Sequence, residues 1–267
     1  MELRASEWIT AAYFAYLAGA AAVVPGIARQ QRRRVIGPAV AVVIAVVTVA
    51  AFGTSAGTLR DWVPLAYILL GYRLPALLVT KTNPVVERRL LALDRRWLGE
   101  NVATISERVP RPLIELLELA YLFCYPMVAI GFACLYVAGL HEELDRFWTA
   151  VLLAAFGCYG VLPWLPTRPP RAIESAPTRL SGPVRRLNER VLGFASVQLN
   201  TFPSGHVAAS LATALAVSAR LPLAGLPLGM LALAIAIASV VGRYHYAADA
   251  VAGAALALLA FVVSRSL

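Results

Sequence analysis

Three short stretches carry residues of the types and spacing that chemistry needs. In "TFPSGHVAAS" (201–210), Ser204 is placed to cap the helix that the following Ala/Leu-rich run predicts. The backbone N–H groups of Gly205 and His206 would then lie at the positive end of that helix. Phosphate-like anions are held there, and glycine lets them approach closely. His206 adds a proton that can be given or taken near neutral pH. An ordinary cap followed by an interfacial histidine has the same pattern. In "GRYHYAADAVAG" (242–253), His245 and Asp249 are four apart and share one helical face. A carboxylate beside an imidazole fixes its tautomer and stabilises its cation, which makes the ring a good nucleophile or base. A purely structural His–Asp pair has this spacing too. Arg243 brings a fixed positive charge two residues before His245. In "LPTRPPRAIE" (165–174), Arg168 and Arg171 are three apart, and guanidinium groups bind phosphate oxygens bidentately. Taken alone, that stretch also fits a basic flank of a membrane span. Together the three supply anion-binding arginines, a helix-end cradle, two histidines and an orienting carboxylate. That is an inventory for phosphoryl transfer through a phosphohistidine, with no metal or other cofactor needed.

Something must bring these stretches together, and composition says what. The chain has 267 residues, 60% of them apolar, with a mean hydropathy of +0.70. Soluble domains hold roughly 45–50% apolar residues. Apolar runs lie near 8–27, 36–53, 61–80, 112–138, 146–164, 204–220, 222–241 and 246–264. Runs of this length read as membrane spans, and lipid tolerates only structures whose backbone is satisfied internally. The expectation is an all-α, multi-span transmembrane bundle of about eight spans. Two accessory spans (1–60) precede a six-span core (61–267). Trp8, Trp62, Trp148 and Trp164 fall at span ends, as an interfacial belt would place them. Cys124, Cys134 and Cys158 read as small core residues. "RQQRRR" after the first run reads as a stop-transfer flank, so that run is expected to be retained.

Eight spans put the loops alternately on two faces. Eighteen of the 24 Lys and Arg fall on the face with loops 28–35, 81–111, 165–203 and 242–245. Five fall on the other: Arg4, Arg60, Arg146, Arg220 and Arg265. The positive-inside rule makes the first face cytoplasmic, and all three chemical stretches lie on it. The net charge of +9 therefore reads as topology and contact with anionic headgroups, not as nucleic-acid binding. Val86, Leu90, Leu93 and Trp97 predict a helix in the headgroup plane, and "PVRRLNERVLGF" (183–194) predicts a second. His141, in "HEELDR" on the second face, reads as a solvated loop histidine. Arg73, Glu115 and Glu118 are ionisable groups in apolar runs and carry less weight.

The order of RP, PSGH and HxxxD resembles the integral-membrane branch of the type-two phosphatidic acid phosphatase superfamily, over roughly residues 61–265. "LALDRRWLGE" followed by "ELLELAYLFCYP" is also similar to its inositol-phosphotransferase-like branch. The resemblance implies that His245 is the nucleophile, oriented by Asp249, and that His206 is the general acid for the leaving alcohol. It implies that Arg168, Ser204 and Gly205 hold the phosphate. Two positions depart from the family pattern. Its lysine falls at Val161, where Arg171 could substitute. Its second arginine falls at Ser239, where the nearest candidate is Arg243, provided the helix breaks near Gly242.

The expected function is a membrane-embedded lipid phosphate phosphatase, whose partners are the bilayer and a phosphorylated lipid. A lipid phosphotransferase is the alternative within the same chemistry. A non-catalytic lipid-phosphate binder or transporter is the alternative outside it, although transporters usually place polar groups at mid-membrane in pseudo-symmetric halves.

Overall fold

The computed structural model describes residues 2–53, 57–174 and 180–267. Among them the chain is an all-α bundle with no strand, and the one β feature is an isolated bridge between Thr167 and Asn200. Arg179, one of the six arginines counted in loop 165–203, lies outside the described residues.

Helices α1 (Ala5–Val23) and α2 (Arg29–Ala51) form a hairpin that turns at Gly26, whose φ of 76° suits glycine. α3 (Gly57–Trp62) and α4 (Pro64–Arg73) follow, then a 3₁₀ turn over Pro75–Leu78. α5 (Pro84–Leu98) is capped by the Asn83 side chain and stopped by Gly99 at φ 73°. α6 (Val102–Arg108) leads to α7 (Arg111–Leu122) and α8 (Met127–Val137), which meet at 62° beside Pro126. α9 (Leu144–Tyr159), α10 (Pro183–Ala195), α11 (Gly205–Ser218), α12 (Pro222–Val241) and α13 (Ala247–Ser266) complete the chain.

α9, α11 and α13 pack against one another at the centre, with α12 on α11, and α1 on α9. Close approach there depends on small residues. On α13, Gly253, Ala257 and Ala260 are buried along one stripe, and a Cβ at Gly253 would sit 2.6 Å from the backbone oxygen of Ser204. Tyr13 of α1 stacks on Phe156 of α9 at 4.1 Å, so the amino-terminal hairpin shares the central core.

Three described helices are long and apolar enough to cross a membrane: α2, α12 and α13. The bent α7–α8 pair makes a fourth. This is fewer than the eight apolar runs suggest, for local reasons. The 61–80 run is broken at Pro64 and Pro75. α11 has 14 residues and α9 has 16, both largely enclosed by other helices. α1 opens with the polar residues Ser6, Glu7 and Thr10. Trp148, expected in the interfacial belt, is instead buried and donates to the Asp61 carbonyl, while Trp8, Trp62 and Trp164 are exposed.

The two ends of the bundle differ in charge. At one end Arg4 pairs with Asp61 and Arg60 with Glu7, while Glu143 takes Arg220, Arg146 and, at 4.0 Å, Arg265. Those are the five arginines of the second face, met there by acidic partners. The other end carries the excess positive charge, and α5, α6 and α10 lie across it, against α13, α12 and α7.

Candidate active site

The basic end also gathers the chemical stretches. Ser204 takes an extended conformation and its hydroxyl accepts from the Val207 N–H, so it caps α11. The Ser204 N–H donates to the Asp249 carbonyl at 3.0 Å, which ties the PSGH turn to α13 backbone to backbone. Glycine at 205 admits the Tyr159 ring, which a Cβ would strike. The Gly205 N–H donates to the Thr201 hydroxyl at 3.2 Å, so this amide already has a partner, contrary to the outward-pointing pair expected from sequence.

α12 ends at Val241. Gly242 follows, and Arg243 adopts a left-handed φ of 61°, uncommon for a residue with a Cβ. The helix break that the sequence required near Gly242 is present. The amides of Tyr244 and His245 both donate to the Ser239 carbonyl at 2.9 Å, closing the turn and aiming the imidazole. His245 Nδ1 lies 3.5 Å from Asp249 Oδ2, which also accepts the Tyr246 N–H at 3.0 Å. Asp94 of α5 caps α13 from outside, accepting from the Ala247 N–H at 3.0 Å and the Ala248 N–H at 3.4 Å.

These turns bring the His206 and His245 rings to 5.8 Å between centroids, at 74°. Both line a small cavity of about 20 Å³ with Arg171, Tyr121, Tyr244, Thr201 and Gly205. That volume holds about one water. A phosphate is larger, so binding has to displace lining side chains. Burial, and then the positive charge of Arg171, push the His245 imidazole down to about 3, so the ring is neutral at ordinary pH.

The three candidate arginines are placed differently. Arg171 lines the cavity, with its guanidinium 5.0 Å from the centroid of the Tyr244 ring. Arg168 turns to Glu87 of α5, donating from its backbone N, Nε and Nη2 at 2.8–3.1 Å, and does not line the cavity. Arg243 is fully buried and its Nη2 donates to Glu174 at 3.0 Å and to the Pro170 carbonyl at 3.2 Å. The Arg171 N–H donates to the Arg243 carbonyl, and the Tyr246 hydroxyl to the Arg168 carbonyl. In this arrangement Arg168 and Arg243 fix the segment that presents Arg171.

Several residues of the site carried little or no sequence signal. Tyr121 and Tyr244 stack at 3.8 Å, and Arg185 lies 4.6 Å from the Tyr244 centroid. Buried Glu118 accepts from Arg185, Asn188 and the Tyr244 hydroxyl, locking α10 onto α7 beside His245. Tyr72, Tyr121 and Tyr125 surround His206. An apolar groove of about 420 Å³ opens next to them, lined among others by Leu65, Ile68, Leu69 and Val128, and it shares Tyr72, Tyr159, Gly205 and His206 with the cavity. Arg73 is at its mouth, bonded to the Phe194 carbonyl. His141 is at the opposite end of the bundle, 4.0 Å from Asp61. Among the described residues no cluster of three or more His, Cys, Asp or Glu is arranged to hold a metal ion.

The model of the PAP2 superfamily matches residues 88–263, about two thirds of the chain. The protein belongs to the PAP2 superfamily. No curated protein and no solved structure matches it. The PAP2 match begins inside α5 and ends inside α13. It therefore includes both histidines, Asp249, the three arginines and the tyrosines at 121, 125 and 244, and leaves out α1–α4. It is a match to the superfamily as a whole and does not separate its branches.

Proposed function

We propose that this PAP2 protein is a membrane-embedded lipid phosphatase that works through a phosphohistidine on His245. The observation that carries the reading is the 5.8 Å approach of two imidazoles from separate elements within one cavity, beside a single guanidinium. With Asp249 on the Nδ1 side, Nε2 of His245 is the nitrogen left to attack. It attacks phosphorus in line while the phosphoester P–O bond breaks, and His206 gives a proton to the departing alcohol oxygen. Water then attacks phosphorus, giving a proton to His206, and the P–N bond to His245 breaks to release phosphate. Arg171 offsets the charge on the non-bridging oxygens throughout. Arg168 and Arg243 keep Arg171 in place, and Ser204 and Gly205 form the turn that carries His206.

The lipid nature of the substrate rests on the apolar groove, which opens from the same residues and lets a hydrocarbon chain run away from His206. His245→Ala is expected to abolish phosphate release from lipid phosphates while the protein still folds. The wild-type protein should form a phosphoenzyme that is labile in acid and stable in base. Hydrolysis by His245→Ala at the wild-type rate refutes the assignment. Adding an acceptor alcohol and analysing products tells hydrolysis from transfer.

A further inference from the structure

We infer that Tyr125 reads a hydrogen-bond acceptor in the substrate just beyond the phosphoester, so that the preferred lipids carry an ester carbonyl or a hydroxyl there. This rests on the phosphatase reading and narrows its substrate class. Tyr125 follows α7 at the 62° bend, and its ring centroid is 5.5 Å from that of His206. Its hydroxyl is shielded from solvent and has no hydrogen-bond partner among the described residues. The neighbouring Tyr72 hydroxyl differs: it bonds Ser196 and accepts from the Val197 N–H. A buried donor left unpaired is costly, and phenylalanine would fill the same space without that cost.

The position of Tyr125 indicates what could pair it. Tyr125 lines the apolar groove but not the polar cavity. His206 marks where the leaving oxygen departs in the proposed reaction. The atoms next to Tyr125 are therefore the first few of the alcohol, at the border between phosphate and hydrocarbon. An acyl ester or a sphingoid base presents an oxygen at that border. A phosphate ester of a plain isoprenoid alcohol presents only hydrocarbon and leaves the donor unpaired.

The test compares three substrates in the same detergent micelles: a diacylglycerol phosphate, a sphingoid phosphate and an isoprenoid monophosphate. In the wild-type protein kcat/KM should favour the oxygen-bearing lipids. Tyr125→Phe should lower their kcat/KM relative to the isoprenoid by about tenfold, without lowering the unfolding temperature. A loss confined to the diacyl lipid assigns the carbonyl, and one confined to the sphingoid lipid assigns the hydroxyl. An unchanged ratio overturns the inference. A reading independent of turnover uses thermal stabilisation by intact lipid. His245→Ala should be stabilised more by the diacyl or sphingoid phosphate than the double variant His245→Ala/Tyr125→Phe, and equal stabilisation also overturns it. Turnover retained by His245→Ala counts against the phosphohistidine alone.

Discussion

Arg168 and Arg171 are three residues apart, yet only Arg171 reaches the cavity of the two histidines, because Glu87 holds the other guanidinium. Arg171→Ala is expected to cut kcat/KM for a lipid phosphate by about a hundredfold, by removing a charge-assisted contact to phosphate. Arg168→Ala should cost several times less, since it acts through the position of its neighbour, and steady-state kinetics on the two variants check the order. His245 gives a prediction in pH. Its folded value of about 3 lies below the ordinary 6.5, so the unfolded chain binds the extra proton first. Stability should therefore be full above pH 6.5 and fall as pH drops toward 3, and His245→Ala should flatten that slope in detergent unfolding curves. His206, His245 and Asp249 were legible in the sequence because each sits in a local pattern with its own turn or helix face. The separate fates of the arginines were not, because Glu87 and Glu174 come from distant segments. Nor was Tyr125, whose proposed role rests on a buried hydroxyl with no hydrogen-bond partner among the described residues.

At the level of elements, the site depends on how closely α13 can approach the turn before α11. Gly253→Ala would bring a methyl group against the Ser204 carbonyl, where backbone must move rather than a flexible side chain. The variant should lose most of its turnover and also unfold at a lower temperature, at about 1–3 kcal/mol, the usual cost of overpacking. Asp94→Ala removes the external cap of α13 and should cost about 1 kcal/mol, whereas Asp94→Asn keeps an acceptor and should cost less. Chemical or thermal unfolding of the two variants measures the difference. The helices themselves were readable from apolar runs, proline and glycine. The number of helices long and apolar enough to span a membrane was not, because a continuous apolar run does not show where a helix stops, as the 16-residue α9 and the 14-residue α11 show. The helix of 84–98 was visible from Val86, Leu90, Leu93 and Trp97. Its inward Glu87 and Asp94, which brace two stretches of the candidate site, show their contacts only in the fold.

Over the whole molecule, charge is segregated: one end pairs its five arginines with carboxylates, and the other keeps the surplus. By the positive-inside rule we propose that the surplus end, and the candidate site with it, faces the cytoplasm. Leu187→Cys, at an exposed position of α10, tests this. An impermeant thiol reagent should label it only after cells are opened or vesicles inverted, and labelling of intact cells places the site outside. The sequence showed this asymmetry by counting. It could not show that the poorer end is a set of matched ion pairs, since Glu7 with Arg60 and Glu143 with Arg220 join distant segments. The bond between the Ser204 amide and the Asp249 carbonyl has one more consequence. It joins main chain to main chain, so the spacing of the two rings does not hinge on which side chains line the neighbouring groove. If the proposed function holds, such a scaffold lets an engineer, or natural drift, recast the apolar wall for new lipids while the two imidazoles stay in register.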